Sequence, residues 1–189
     1  MNREKILDAS AQIIRQKGYH AASMQDIAEA VNLQKASLYH HFSSKQEILL
    51  ALLDQAMDIL IERISKVLVQ DIPADEKLRQ AMRVYLGTLD EHSDLTSVLL
   101  LEHRSLNPEY HDRHIPRRDR FERLWREMIQ EGVESGVFAQ TDPALAGRAL
   151  LGVMNWTITW YRPDGKFSSG QLSDRFATLF LDGLRGHPS

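Results

Sequence analysis

The sequence predicts an all-α fold of about nine helices, with a small N-terminal helical domain and a larger helical domain after it. Apolar residues recur at spacings of three and four along most of the 189-residue chain, which is the pattern of amphipathic helices. No stretch sustains the alternation of apolar and polar residues that a half-buried strand requires. We expect the domain boundary after residue 50, giving domains 1–50 and 51–189.

Three short helices are predicted in the first fifty residues. Gly18 follows the last periodic residue of the first helix and should end it. Ser23 can cap the second helix, and Asp26 lies three residues on, as in a capping box. Asn32 should make the next turn, because asparagine tolerates a left-handed backbone better than most residues. The third helix is expected at about 35–41.

A long fourth helix and five later helices are predicted in the second domain. The fourth helix, from 44 to about 71, would be roughly 38 Å long at about 1.5 Å per residue and could bridge two domains. An Asn-Pro pair at 107–108 should interrupt the helices, and an Asp-Pro pair at 142–143 should start one. The later helices are expected at about 75–91, 94–104, 113–135, 143–161 and 171–184.

The composition excludes several classes of protein. The chain has no cysteine, so disulfide scaffolds, thiolate metal sites and cysteine nucleophiles are ruled out. It also has no apolar run near the roughly 20 residues of a membrane span. The N-terminus does not read as a signal peptide. The net charge is −3, yet the first fifty residues carry six basic and five acidic side chains. We expect a cytoplasmic protein with no membrane partner.

The sequence offers no catalytic motif. It lacks a Gly-x-Ser-x-Gly elbow, a glycine-rich phosphate loop and a His-Glu-x-x-His helix, so we expect a protein that is not an enzyme and that has no cofactor. His103, His111 and His114 lie near acidic residues, which leaves a metal-responsive protein as an alternative. Their spacing fits no known metal pattern well, and we expect no metal site.

Two short helices joined by the tight turn at 31–33 predict a helix-turn-helix, the arrangement that places its second helix in the major groove of DNA. The run from Ile6 to Leu52 resembles the DNA-binding domain of the TetR family of transcriptional regulators. The segment Leu38-Tyr39-His40-His41-Phe42, followed three residues later by Lys45, is its most distinctive part. Asn32 stands where the family usually has glycine. The resemblance implies a repressor that binds a palindromic operator in double-stranded DNA as a homodimer.

The resemblance also implies individual contacts with DNA. The implied DNA-binding residues are Ser23, Met24, Lys35, Ala36, Ser37, Tyr39, His40 and Lys45. The first two should meet the phosphodiester backbone, the next three should face base edges, and the last three should contact phosphates. Lysine can donate to guanine, and an alanine methyl can touch a thymine methyl. Ser23 as a cap alone, and Tyr39 as a packing residue, are the alternatives.

The second domain corresponds to the ligand-binding and dimerisation domain of that family. Residues 155–165 resemble a subset that responds to acyl-CoA thioesters, so we expect release from DNA by an apolar or acyl-CoA effector. Apolar side chains would wall the pocket and arginines would pair with phosphates. The expected ligand-binding residues are Tyr85, Arg104, Arg118, Phe121, Trp125, Met128, Trp156, Trp160 and Arg162. The alternatives are that the aromatic residues form only a core, and that no small ligand controls the protein. The last two helices carry apolar residues on more than one face and should join the dimer.

Overall fold

The computed structural model describes residues 2–185, and within that range the chain forms nine α-helices and no strand, as the sequence predicts. A single 3-10 turn, His103–Ser105, follows the sixth helix. The helices are α1 Arg3–Lys17, α2 Met24–Ala30, α3 Lys35–Tyr39, α4 Lys45–Leu68, α5 Ala74–Glu91, α6 Ser93–Glu102, α7 Pro108–Glu134, α8 Pro143–Trp160 and α9 Ser169–Arg185.

The chain forms two compact units. The head unit combines Met1–Asp58 with His92–Arg118, and the body unit combines Ile59–Glu91 with Asp119–Ser189. Both α4 and α7 run from one unit into the other. The head unit therefore includes α6 and the start of α7 besides the N-terminal helices. The domain boundary expected after residue 50 stays a prediction.

The core of the head unit is built from the apolar faces of α1 to α4. Ile6, Ile27, Leu38, Phe42 and Ile48 are all almost completely buried. Burial of each such side chain contributes about 1.5–3 kcal/mol relative to exposure. Since α3 is only five residues long, its position depends on the burial of Leu38 and on Phe42 just beyond it rather than on helix propensity.

The predicted boundaries of α1 and α2 are confirmed by their caps. Gly18 ends α1 with a φ of 79°. The Ser23 side chain accepts from the backbone N–H of Asp26, and the Asp26 carboxylate accepts from the backbone N–H of Ser23. Asn32 has a φ of 54°, so it occupies the left-handed region that the turn requires. The N–H of Leu33 then donates to the carbonyl of Ala28 at 2.8 Å, which closes a Schellman motif.

The seventh helix begins earlier than predicted. The structure starts α7 at Pro108 and continues it through Pro116, whereas the sequence suggested a start near residue 113. Proline is well tolerated as the first residue of a helix, because the N–H that it lacks has no partner there. Pro116 lies on an exposed part of the helix. The third helix is also shorter than predicted and ends at Tyr39.

The body unit has its own core. Helices α5 and α9 pack against each other in this unit. An ion pair joins α5 to α7, with the buried Lys77 ammonium 2.8 Å from a carboxylate oxygen of the half-exposed Glu131. Removing Glu131 would leave the buried lysine charge uncompensated.

Candidate DNA-binding and ligand-binding sites

Helix α3 presents the side chains predicted to read DNA. Lys35, Ala36 and His40 are exposed, Ser37 is half-buried, and Tyr39 is 46% exposed. The opposite side of the helix is anchored by Leu38, which is fully buried. The structure thus gathers the five predicted residues of this segment on one short helix and its C-cap.

Ser23 and Met24, predicted to meet the DNA backbone, differ in their surroundings. Ser23 is exposed and also caps α2, so its hydroxyl already bonds to Asp26. Met24 is buried, which leaves only its backbone available for a phosphate. The Lys17 ammonium lies 2.7 Å from the Asp26 carboxylate. That hydrogen bond, together with the bonds from Ser23, holds the pKa of Asp26 well below its usual range.

Lys45 has partners within the head unit. Its ammonium donates to the backbone carbonyls of Tyr19 and Ala22, both at 2.8 Å. The same group lies 4.3 Å from the centre of the Tyr19 ring, which is a cation–π distance. Lys45 therefore ties the start of α4 to the segment between α1 and α2. Its predicted contact with a DNA phosphate stays a prediction.

Neighbouring residues of this segment were not predicted from sequence. The Gln46 amide donates to the Tyr19 hydroxyl and to the carbonyl of Ser105, and its oxygen accepts from the N–H of Asn107. Glu102 accepts from the backbone N–H of Tyr19. These contacts join helices that are distant in sequence, so no local pattern could indicate them.

Four predicted ligand-binding residues come together in the core of the body unit. Tyr85, Phe121, Trp125 and Met128 are buried, and the three aromatic rings lie with their centres 5.8–6.1 Å apart. The Tyr85 hydroxyl donates to the side-chain oxygen of Asn155. Burial raises the pKa of Tyr85 well above its usual value, so the hydroxyl stays neutral and keeps its donor.

Trp125 carries an unusual feature in this aromatic cluster. Its indole Nε1 is buried and has no hydrogen-bond partner. An unpaired buried donor costs about 1–3 kcal/mol. Such an N–H group can donate to an acceptor atom of a ligand or to an ordered water.

The other predicted ligand-binding residues lie elsewhere. Trp156 and Trp160 project from α8 and are largely exposed in the single chain. Arg162 is also exposed, just after α8. Arg104 and Arg118 belong to the head unit, whereas the aromatic cluster belongs to the body unit. Trp156, Trp160 and Arg162 thus lie outside the buried aromatic cluster of their own unit.

The three histidines of the metal alternative all belong to the head unit. Among the residues that the structure describes, no group of three or more histidine, cysteine or acidic side chains lies close enough to hold an ion. His114, one of the candidate ligands, instead places its Nδ1 2.8 Å from a carboxylate oxygen of Asp54. None of the described helices is long and apolar enough to cross a membrane.

The geometry of the head unit defines a class of protein. A short helix, exposed on its polar side and held by a tight turn against a partly buried partner helix, is the DNA-reading element of helix-turn-helix transcriptional regulators. Comparison with known families agrees. Residues 6–52 match the model of bacterial regulatory proteins of the tetR family, and residues 71–184 match the tetracyclin repressor-like C-terminal domain. The chain belongs to the TetR family of transcriptional regulators.

Solved structures of related proteins cover nearly the whole chain. PfmR from Thermus thermophilus is 39% identical, with 94% of this chain and 97% of that chain covered and a TM-score of 0.88. AibR, solved with isovaleryl coenzyme A and operator DNA, is 28% identical, with 94% and 96% covered and a TM-score of 0.87. FadR from Bacillus subtilis, solved with stearoyl-CoA, is 26% identical, with 97% and 100% covered and a TM-score of 0.83.

Proposed function

We propose that the protein is a dimeric repressor that binds a palindromic operator through α3 and is released by an acyl-CoA thioester. The buried and unpaired Nε1 of Trp125 in the aromatic core of the body unit carries the ligand half of this proposal. An acyl chain is compatible with the apolar side chains around Trp125, and its thioester carbonyl would supply the acceptor that the indole lacks. AibR and FadR, which were solved with acyl-CoA ligands, support the same class of effector.

The DNA half of the proposal rests on the exposed side chains of α3. Lys35, Ala36 and Ser37 face base edges, and Tyr39 and His40 contact phosphates. Ser23 and the backbone of Met24 add contacts at the start of α2. AibR, which was solved with operator DNA, supports an operator as the partner. We place the protein in the cytoplasm, where the chromosome is, and assign it no catalytic activity.

Dimer formation is supported by large apolar side chains that are exposed on α8 and on α9. Leu145, Trp156 and Leu179 are each more than 60% exposed in the single chain. A second copy of the chain that packs on these helices would bury them. A two-fold dimer matches a palindromic site, because each copy reads one half.

A DNA-binding experiment tests the first half. Lys35→Ala should alter base preference at one position of the half-site by about 1–3 kcal/mol. Lys5→Ala, on an exposed part of α1, serves as the control and should leave base preference unchanged. Selection of binding sites from a random library reports both. An unchanged preference in Lys35→Ala would show that α3 is not the reading helix.

A release experiment tests the second half. Acyl-CoA thioesters, the matching free acids and unrelated apolar compounds are added to the protein–operator complex. Thioesters should lower DNA affinity by the typical coupling of about 1–3 kcal/mol. If no compound binds and DNA affinity stays constant, the alternative of a regulator without a small ligand is correct.

A further inference from the structure

A polar groove lies between α7 and α8 in the body unit. It encloses about 320 Å³, near the lower limit of small-molecule sites. Arg123, Arg126 and Arg148 line it, together with the carboxylates of Asp119 and Glu122. The lining therefore holds three arginines and two carboxylates, which gives a net charge of +1. Arg123 and Arg126 are three residues apart on α7 and therefore lie on the same face of that helix. Arg148 of α8 lines the same groove.

The remaining lining of the groove is apolar and touches the core. Ala144, Gly147 and Leu151 contribute it from α8. A Cβ atom at Gly147 would lie 3.8 Å from the Cβ atom of Trp125 and 3.7 Å from the side chain of Ile129. The wall of the groove is thus in direct contact with the backbone side of Trp125, the residue whose indole Nε1 is buried without a partner.

This arrangement suits an amphipathic anion. Guanidinium groups form paired hydrogen bonds with phosphate oxygens, and three of them can meet a diphosphate and a further phosphate. An apolar chain attached to such a head group could pack against Ala144 and Gly147 of α8. Gly147 in turn packs against Trp125 of the aromatic cluster.

We propose that this groove binds the phosphate-bearing nucleotide head of a CoA thioester, with the apolar part of the ligand lying against Gly147 and Leu151. The proposal rests on the acyl-CoA effector proposed above. It assigns the phosphates to Arg123, Arg126 and Arg148 in place of Arg104, Arg118 and Arg162, the three arginines that the sequence suggested.

Binding measurements on charge variants test the groove. The combined variant Arg123→Gln, Arg126→Gln and Arg148→Gln is titrated with isovaleryl-CoA and stearoyl-CoA, and then with the same acyl groups on N-acetylcysteamine, which carries no phosphate. We expect the CoA thioesters to bind at least tenfold more weakly and the phosphate-free thioesters to bind as they do to wild type. All three arginines are exposed, so the variant should fold, and circular dichroism checks this.

Two further variants sharpen the comparison. Arg79→Gln, in the same unit but outside the groove, should bind as wild type does, and Arg162→Gln should do the same. Ala144→Phe keeps every charge but fills the groove, and it should also weaken the CoA thioesters. If Arg162→Gln no longer binds the CoA thioesters while the combined variant still binds them, the phosphates lie outside the groove and the inference is wrong.

The outcomes also separate this inference from the effector proposal. Failure of wild type to bind any CoA thioester would overturn both. If all groove variants bind CoA thioesters as tightly as wild type does, the inference about the groove is wrong. The proposal of an acyl-CoA effector is then unaffected. Inorganic pyrophosphate is included as a probe, and binding as tight as that of a CoA thioester would identify a simple anion site instead.

Discussion

The ammonium of Lys45 lies 2.8 Å from the carbonyl oxygen of Tyr19 and 4.3 Å from the centre of the same residue's ring. A second carbonyl, that of Ala22, lies at 2.8 Å. One side chain at the start of α4 thereby satisfies two backbone groups in the segment that leads into the helix-turn-helix. The position of α2 relative to α4 depends on this contact.

Replacement of Lys45 should therefore destabilise the head unit. We expect Lys45→Met to lower the free energy of unfolding by about 1–3 kcal/mol, because two carbonyls lose a charged donor. We also expect the salt slope of DNA affinity to fall by about 1, because the same ammonium is predicted to contact a DNA phosphate. Urea denaturation and operator titrations at several salt concentrations measure the two effects. Lys35→Met, at an exposed position, is the control for stability. An unchanged salt slope would show instead that the ammonium is used only within the protein.

The capping box at α2 should make stability depend on pH in the acid range. The folded-state pKa of Asp26 is lowered, chiefly by its hydrogen bond with Lys17 and then by those with Ser23. The stabilisation of the fold by the Asp26 carboxylate is therefore fully present above the pKa that Asp has in the unfolded chain, about 4. It is lost as the pH falls through the lower pKa of the folded protein. Asp26→Asn should be less stable than wild type at about pH 7, and the difference should shrink below about pH 4. Thermal melts at several pH values measure this, with Asp8→Asn, an exposed carboxylate of α1, as control. A difference that stays constant from neutral pH into the acid range would contradict the role of the charge.

The sequence predicted the head unit well because its signals are local. The Ser23 cap, the Asn32 turn and the buried Leu38 each depend on residues a few positions apart. The surroundings of the expected ligand-binding residues depend on packing rather than on local signals. Tyr85 of α5 and Trp125 of α7 meet in the core, and the spacing along each helix could show neither that contact nor the exposure of Trp156. The groove arginines escaped prediction for a related reason. Two of them lie on one face of α7, but the third comes from α8, and only the packing of the two helices joins them.

A buried contact in the head unit should take part in the response to effector. His114 of α7 is almost fully buried, and its Nδ1 lies 2.8 Å from Asp54 of α4. Arg117 reaches both Asp54 and Asp58 at about 3 Å. Helix α7 then continues into the body unit, where its residues line the groove and the aromatic cluster. A shift of α7 caused by ligand would therefore be transmitted to α4 through these side chains.

Asp54→Asn should weaken that transmission. We expect a loss of stability of about 1–3 kcal/mol, because the buried imidazole loses a charged partner, and a smaller effect of the CoA thioester on operator affinity. Asp58→Asn is the matched control, since its carboxylate is 60% exposed and the pair contributes at most about 1 kcal/mol. Operator titrations with and without ligand compare the two variants. Equal effects of ligand in Asp54→Asn and wild type would show that coupling takes another route.

The exposed face of α8 and α9 should hold the dimer together. Trp156 and Leu179 are 66% and 71% exposed in the single chain, and added Cβ atoms at Gly152 and Gly183 would meet nothing within 4 Å. Helices that present small residues between large apolar ones allow close approach of a second copy. Burying each large side chain contributes about 1.5–3 kcal/mol, so two charges placed here should outweigh the association energy.

The double variant Trp156→Glu and Leu179→Glu should be monomeric at micromolar concentration by sedimentation. Its helical content should be unchanged, because both side chains point away from the core of their own unit. The variant should bind a palindromic operator no more tightly than it binds a single half-site. The reason is that the two reading helices are no longer held at the fixed spacing of about 34–36 Å or a multiple of it. Val69→Glu, an exposed apolar position outside α8 and α9, should remain dimeric and bind DNA normally. A double variant that still sediments as a dimer would place the interface on another surface. One that is monomeric and yet binds the full operator as tightly as wild type would show that dimerisation does not set operator affinity.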